Sequence, residues 1–284
     1  MLTFENFDLT NYNSYRVSST CRYAYFPESE DDIKSFFSKY SKYVLLGSGH
    51  NVILSKEHYD LPFLIINGVF NTIKTESEGC LFVEAGAWMP DVAEFALGEG
   101  LSGVEIFWDI PSSLGGAVVM NAGASGEEIK DVIKMVRYYD LKDGLCKILT
   151  GEHLSFQYRN SFFQVNPDSI VLSATLKLRT GNKSFIRDKM DQIKTQRWLK
   201  QPKESPNAGS VFKRPKGFYV GAMIDELDLK GFTVGGAKIS EKHGGFIVNF
   251  SGATGSDILS IIDEVKRRVR SRFGVELEIE QRII

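Results

Sequence analysis

The sequence predicts an α+β fold in about two domains, on three observations. The chain has 284 residues, about twice the ~150 that a typical domain needs. Over the first part, helical and strand periodicities alternate. From about residue 183 the pattern changes to two helical stretches and a loop bearing Pro and Lys, so a boundary is expected near 180–190. Hydrophobic residues at 43% and aromatics at 12% supply a full core and exclude global disorder.

The elements follow in order. Ser29 with Asp32 resembles a capping box, and Ile33, Phe36, Phe37 and Tyr40 recur at helical spacing behind it. Tyr43 to Leu46 reads as a short strand, followed by Gly47-Ser48-Gly49-His50-Asn51 and a second strand over 52–54. Residues 62–66 and 81–84 read as strands. Pro90 suits the first turn of a helix whose stripe is Val92, Phe95 and Ala96. Residues 132–148 and 169–178 alternate like strands. Ile186, Met190, Ile193 and Arg197 mark a helix that leads into the loop 199–217. Near Thr254 a long helix begins, with Ile258, Ile261, Ile262, Val265 and Val269 on one face and Arg270 and Arg272 at its end. Val275 to Ile284 alternates like a closing strand.

Composition also excludes functions. Lys and Arg total 34 against 36 Asp and Glu, a net charge of −2, which argues against a nucleic-acid coat or a polyacidic tail. No run of about 18 apolar residues is present, so no membrane-spanning helix is expected. The first residues lack the basic start and apolar run of a secretion signal. Cys21, Cys80 and Cys146 lie far apart, form no metal-spaced pair and suit a reduced, cytoplasmic compartment. No nucleic-acid, membrane or metal partner is expected, and the chain is expected to be a monomer.

Two glycine-rich segments point to a ligand. The Gly47–Asn51 loop invites a dinucleotide-binding reading but lacks the third glycine, and a strand follows where a helix N-terminus would be needed. A strand–loop–strand can still wrap a pyrophosphate, since successive backbone N–H groups in a tight loop form an anion nest. A plain hairpin turn is the alternative. Residues 110–126 are small and almost uncharged; Gly115, Gly116, Ala122, Gly123 and Ala124 leave room for backbone to approach a flat cofactor. A tightly packed turn is the plain alternative.

These segments belong to a series in fixed order. Asn13-Ser14-Tyr15-Arg16-Val17, residues 47–51, Gly103-Val104-Glu105 with 110–126, and Tyr158-Arg159-Asn160-Ser161 come first. Gln201-Pro202 through Ala208-Gly209-Ser210-Val211-Phe212-Lys213 follows, then Ser240-Glu241-Lys242-His243, Phe246-Ile247-Val248-Asn249 and Leu277-Glu278-Ile279-Glu280-Gln281-Arg282. Together they resemble the UDP-N-acetylenolpyruvoylglucosamine reductase (UDP-N-acetylmuramate dehydrogenase) family over nearly the whole chain, in its compact subtype.

The resemblance implies an FAD-binding domain of the vanillyl-alcohol-oxidase type over 1–182, with subdomains of about 1–60 and 61–182, and a substrate-binding α+β domain over 183–284. It implies FAD, reduced by NADPH, and a UDP-sugar enolpyruvyl ether as substrate, in peptidoglycan precursor synthesis. Such a reduction needs a hydride at C3, from N5 of the reduced flavin, stabilisation of charge on the carboxylate side, and a proton at C2. The family positions for these tasks are Arg159, Glu280 and Ser210. Arg159 offers a fork suited to a carboxylate, Ser210 would give the proton, and Glu280 would act with Arg159. Gly47, Ser48, Gly49, His50, Asn51, Gly115, Gly116, Asn121, Ala122, Gly123 and Ala124 fall on the flavin side. Tyr158, Lys200, Lys213 and Arg214 fall on the substrate side, where a basic cluster suits a diphosphate. Solvated charge is the plain reading of that cluster.

The chain departs from the family at several points. Ser18-Ser19 and Ser112 stand at glycine positions, and Arg214 replaces an Asn that touches the nucleotide. His50 replaces a Ser, and in related flavin oxidases a His in this loop can bond covalently to the flavin ring. Contact with the flavin, or such a link, is the expectation for His50. Two other functions stay open on the residues: a divergent paralogue acting as a dehydrogenase or oxidase on another nucleotide sugar, and a flavin- or nucleotide-binding protein without turnover.

Overall fold

The computed structural model describes residues 1–284. Its helices are α1 (Glu30–Lys39), α2 (Met89–Gly98), α3 (Leu114–Met120), α4 (Phe162–Val165), α5 (Lys183–Lys200), α6 (Val220–Glu226) and α7 (Gly255–Phe273). Two compact units emerge, both discontinuous in sequence. The first comprises 1–3, 25–48 and 63–196, and the second 4–24, 49–62 and 197–284. These limits differ from the expected division at 182/183. Ile186 and Met190 of α5 are buried in the first unit's core, so most of that helix belongs with the residues before it.

The first unit is built on an antiparallel sheet of Leu145–Thr150, Ile133–Asp140, Ser169–Lys177, Cys80–Glu84 and Ile73–Ser77, in that spatial order. Ser169–Lys177 was expected to alternate. It is central, and every residue but Lys177 is buried because both sheet faces are covered. α2 begins with Pro90 in its first turn and buries Val92, Ala93 and Ala96. α1 carries the Ser29 cap, whose hydroxyl accepts the Asp32 N–H, and Ile33 joins Tyr139, Ile170 and Leu172 in a smaller core. Val44–Leu46 and Phe63–Ile65 pair in parallel.

Glu105 lies inside this unit with 1% of its surface exposed. Its carboxylate accepts hydrogen bonds from the Ser102 hydroxyl and the Gly103 N–H, and Lys189 of α5 reaches it at 3.4 Å. Burial by itself would raise its pKa; those partners outweigh burial and hold it below the usual carboxylate range.

In the second unit, α7 packs against a three-stranded antiparallel sheet of Thr233–Val234, Ala237–Ile239 and Ile247–Asn249. Ile258, Ile261, Ile262, Val265 and Val269 are all buried, each contributing about 1.5–3 kcal/mol. Thr254 and Asp257 close a reciprocal capping box, and Gly274 ends the helix in the left-handed conformation. Tyr15, Val17 and Ile53 enter the same core from distant parts of the chain.

The expected strand over 275–284 is only partly regular. The segment changes partner along its length: Glu278 and Glu280 bond to Lys213 and Val211, and Arg282–Ile283 then pairs in parallel with Val52–Ile53. Successive short pairings replace one ladder.

Candidate active site

The Gly47–Asn51 loop joins Val44–Leu46 to Val52–Ile53 without a helix. The chain passes from the first unit to the second inside it, between Ser48 and Gly49. On the first unit, the Ser113 N–H donates to the Ser48 hydroxyl at 3.0 Å. That bond brings the two glycine-rich segments together, although 65 residues separate them. On the second unit, Gly49 has φ +72° and a side chain there would stand 2.0 Å from the Tyr12 carbonyl oxygen, so close backbone packing requires this glycine. Asn51 donates to the Glu280 carbonyl at 3.2 Å, and His50 is half-buried in the turn.

Residues 110–126 were expected as cofactor-facing backbone, and they contain α3. Ser113 caps it, accepting the Gly116 N–H at 3.3 Å, while Leu114, Ala117 and Val118 turn into the core. The small residues therefore serve helix packing as well as approach by a ligand. Ser112 Oγ beside them is buried without a hydrogen-bond partner, which costs about 1–3 kcal/mol. The donor chemistry fits a flavin nucleotide: 47–51 and 112–118 carry no carboxylate, and a polar ligand group at Ser112 would relieve its orphaned hydroxyl.

Asn121, expected on the flavin side, also has a structural role. It is fully buried, in the left-handed conformation at φ +44°, and its amide is spent inside the protein. Nδ2 donates to Glu128 Oε2 at 3.0 Å and to the Gln157 carbonyl at 2.9 Å, and Oδ1 accepts the Lys130 N–H at 3.3 Å. Ala122 returns its N–H to Ala117, and Gly123–Ala124 forms a two-residue ladder with Glu127–Glu128.

Through Gln157, Asn121 anchors a tight turn. Gln157 and Asn160 exchange both backbone hydrogen bonds, with Tyr158 and Arg159 at the tip. Arg159 has φ +52°, a strained backbone for a residue other than glycine. Its guanidinium donates to the Gly123 carbonyl at 2.9 Å and lies 5.2 Å from the Tyr158 ring centre.

On the second unit, Ser210 is exposed in the loop after Gly209. The Glu280 N–H donates to the Val211 carbonyl at 2.8 Å, and Phe212 pairs with Ile279. Two expected site residues 70 positions apart, Ser210 and Glu280, are thus carried by adjoining backbone. Val211 N–H donates to Gly245, whose own N–H donates to His243 Nδ1 at 3.1 Å. Nδ1 must accept there, so the imidazole is neutral, and burial lowers its pKa accordingly.

The basic cluster divides. Lys213 is ion-paired with Glu278, whose side chain is largely exposed. Arg214 lies over the Tyr219 ring at 3.8 Å, and Lys200 is exposed at the end of α5. Sequence reasoning missed the partners that hold these loops, the buried Gln281 and the half-buried His243 among them. Their motifs were visible, but nothing in the residue pattern told a buried amide from a surface one.

Comparison with known proteins places the chain in a family. The family model "UDP-N-acetylenolpyruvoylglucosamine reductase, C-terminal domain" matches residues 201–284, and "FAD binding domain" matches 22–150. The chain is 39% identical over 282 residues to UDP-N-acetylenolpyruvoylglucosamine reductase of Francisella tularensis subsp. tularensis, covering 99% of both chains. It is 36% identical to the enzyme of that name from Caldanaerobacter subterraneus subsp. tengcongensis, over 98% of this chain and 92% of that one. The crystal structure of the Thermus caldophilus UDP-N-acetylenolpyruvylglucosamine reductase superposes with a TM-score of 0.84 at 32% identity, covering 99% of this chain and 98% of the other.

Proposed function

This chain belongs to the UDP-N-acetylenolpyruvoylglucosamine reductase family, and from that membership we propose how its own residues divide the reaction. The protein is an FAD-dependent oxidoreductase of peptidoglycan precursor synthesis, and its substrate is the enolpyruvyl ether of UDP-N-acetylglucosamine. When bound, FAD recharged by NADPH supplies the hydride equivalent.

Binding of the cofactor is assigned to the backbone of Gly47–Asn51 and of the segment around Ser112 to Gly116. His50 contacts the flavin; acid precipitation decides whether the contact is covalent, since a yellow supernatant over a colourless pellet removes the link. Arg159 takes the substrate carboxylate in its planar fork, and its strained turn fixes where that fork points. Ser210 Oγ holds the proton destined for C2. Glu280 stabilises the charge that develops on the carboxylate side, together with Arg159. Lys200, Lys213 and Arg214 serve the nucleotide diphosphate, Lys213 from its ion pair with the exposed Glu278. The proposed division, flavin-binding over 1–182 and substrate-binding over 183–284, is one of ligands and not of packing, since most of α5 packs with the first unit; the chain acts as a cytoplasmic monomer, which gel filtration and cell fractionation check.

The observation that carries these roles is the backbone pairing of the Ser210 and Glu280 segments. The decisive experiment runs the two half-reactions separately under anaerobic conditions. NADPH should bleach the yellow protein, and the enolpyruvyl substrate should restore the colour in one turnover. Flavin that stays reduced after substrate is added sinks the reading.

A further inference from the structure

A buried polar relay reaches the proton-donor loop from a residue outside the assigned chemistry. Gln281 is 4% exposed and Tyr15 is wholly buried. The Tyr15 hydroxyl donates to Gln281 Oε1 at 3.0 Å. Gln281 Nε2 in turn donates to the carbonyls of Ala208, at 3.0 Å, and Gly209, at 3.2 Å. Only one orientation of the amide satisfies all three partners, because a carbonyl cannot donate and the NH2 cannot accept from the phenol. Tyr15 is itself fixed, since its own carbonyl accepts the Asn249 amide at 2.8 Å.

The two gripped carbonyls immediately precede Ser210. Gly209 has φ +79° and open space where a side chain would lie, so neither sterics nor side-chain packing restricts its rotation. The Gly209 N–H is held by Asn207 Oδ1 at 3.1 Å, so releasing the Gly209 carbonyl would free the Gly209–Ser210 peptide to turn about the Gly209 Cα while the chain before it stays fixed. Downstream, the Val211 N–H and carbonyl are tied to Gly245 and Glu280. The loop is therefore pinned on both sides of Ser210, and the pin on the carbonyl next to Ser210 is the residue next in sequence to Glu280.

We propose that Gln281, oriented by Tyr15, is a positioning residue that sets the direction of the Ser210 hydroxyl relative to Glu280 and thereby governs proton delivery to the substrate. This rests on the assignment of Ser210 as proton donor. Gln281 touches neither Ser210 Oγ nor the reacting atoms; it acts by holding the peptide from which that hydroxyl projects.

The test uses the FAD-loaded enzyme and stopped-flow measurement of each half-reaction. In Gln281→Met, reoxidation of the reduced flavin by the enolpyruvyl substrate should slow about 10- to 100-fold, the penalty for a group displaced by about 1 Å. Flavin reduction by NADPH and the KM for the enolpyruvyl substrate should stay within about twofold of wild type, which marks a transition-state effect. Tyr15→Phe, which removes a single oxygen, should show the same split more weakly. If Gln281→Met does not fold, Tyr15→Phe carries the test. The double variant Ser210→Ala/Gln281→Met should be no slower than Ser210→Ala alone. Wild-type reoxidation in the single variants overturns the proposal, and so does slowing that adds in full to that of Ser210→Ala. Ser210→Ala that reoxidises at the wild-type rate instead removes the donor assignment itself, and that variant alone reveals it.

Discussion

The Tyr158–Arg159 turn of the first unit and the Ser210 loop of the second solve the same problem by different means. Each is held by a buried carboxamide that spends both N–H groups on its neighbours: Asn121 on Glu128 and the Gln157 carbonyl, Gln281 on the Ala208 and Gly209 carbonyls. In the first case the support includes an ion pair, since Lys130 also binds Glu128, and the arginine it presents is strained. In the second the support is neutral, and the serine follows a glycine held by hydrogen bonds to its backbone and not by packing of a side chain. A cationic anchor tolerates charge in its scaffold and profits from a stiff backbone. A proton donor needs surroundings whose charge does not vary.

The sharpest break in this comparison is at the serine. Ser210→Ala should leave flavin reduction by NADPH intact and slow the second half-reaction by about 10³-fold, within the range of a lost general acid. If both half-reactions survive, the second loop has no chemical role and the parallel fails. Next comes the scaffold of the first turn. Asn121→Leu removes one hydrogen bond each from Glu128, from the Lys130 N–H and from the Gln157 carbonyl, which keeps only the Asn160 N–H, for a loss of about 2 kcal/mol in urea unfolding. A loss under about 1 kcal/mol, the worth of one ordinary hydrogen bond, would show that the turn stands without its amide.

Acid separates the units with a smaller effect. His243 is depressed by burial, so above pH 6.5 its contribution is constant. As pH falls below 6.5 the unfolded chain takes up a proton that the native state resists, and stability declines toward the lower native value. Glu105 in the first unit contributes fully above pH 4.5 and loses its contribution as pH falls through its depressed native value. Hydrogen exchange between pH 6.5 and 5 should therefore loosen Val211 and Gly245 before Gly103, by about 1 kcal/mol or less. Simultaneous loosening would show that neither group controls its own unit.

Much of the fold was legible because periodicity and caps are local. Ser29, Pro90 and Thr254 mark the starts of α1, α2 and α7, and the apolar stripe of α7 is readable residue by residue. The strand character of 169–178 was legible, but its burial on both faces depends on covering elements far away in sequence. α3 was hidden because glycines in its first turn read as loop, while the Ser113 cap and the buried Leu114 and Ala117 that stabilise it look ordinary in isolation. At the site, the resemblance placed Arg159, Ser210 and Glu280 on the chain. It did not distinguish a residue that meets a ligand from one that holds another residue. Asn121 and Lys213 were grouped with the ligand-binding residues, and their partners Gln157 and Glu278, which the sequence did not reveal, give them a structural role besides.

The interleaving of the two units has a consequence for how the protein is made and remade. The second unit's core joins Tyr15, Val17 and Ile53 to residues 208–277. The carbonyl of Ile284 accepts from the Ser55 N–H and, at 2.6 Å, from the Tyr59 hydroxyl. On the ribosome, Tyr15, Val17 and Ile53 must wait for residues 208–277 to be translated before the core they share can close. No single cut therefore yields the second unit as a transferable cassette: a fragment over 201–284 would carry the serine and the glutamate away from the tyrosine and the strand that complete their core. Recombination between relatives should favour exchanges that keep residues 13–17, 51–55 and 277–284 from one parent.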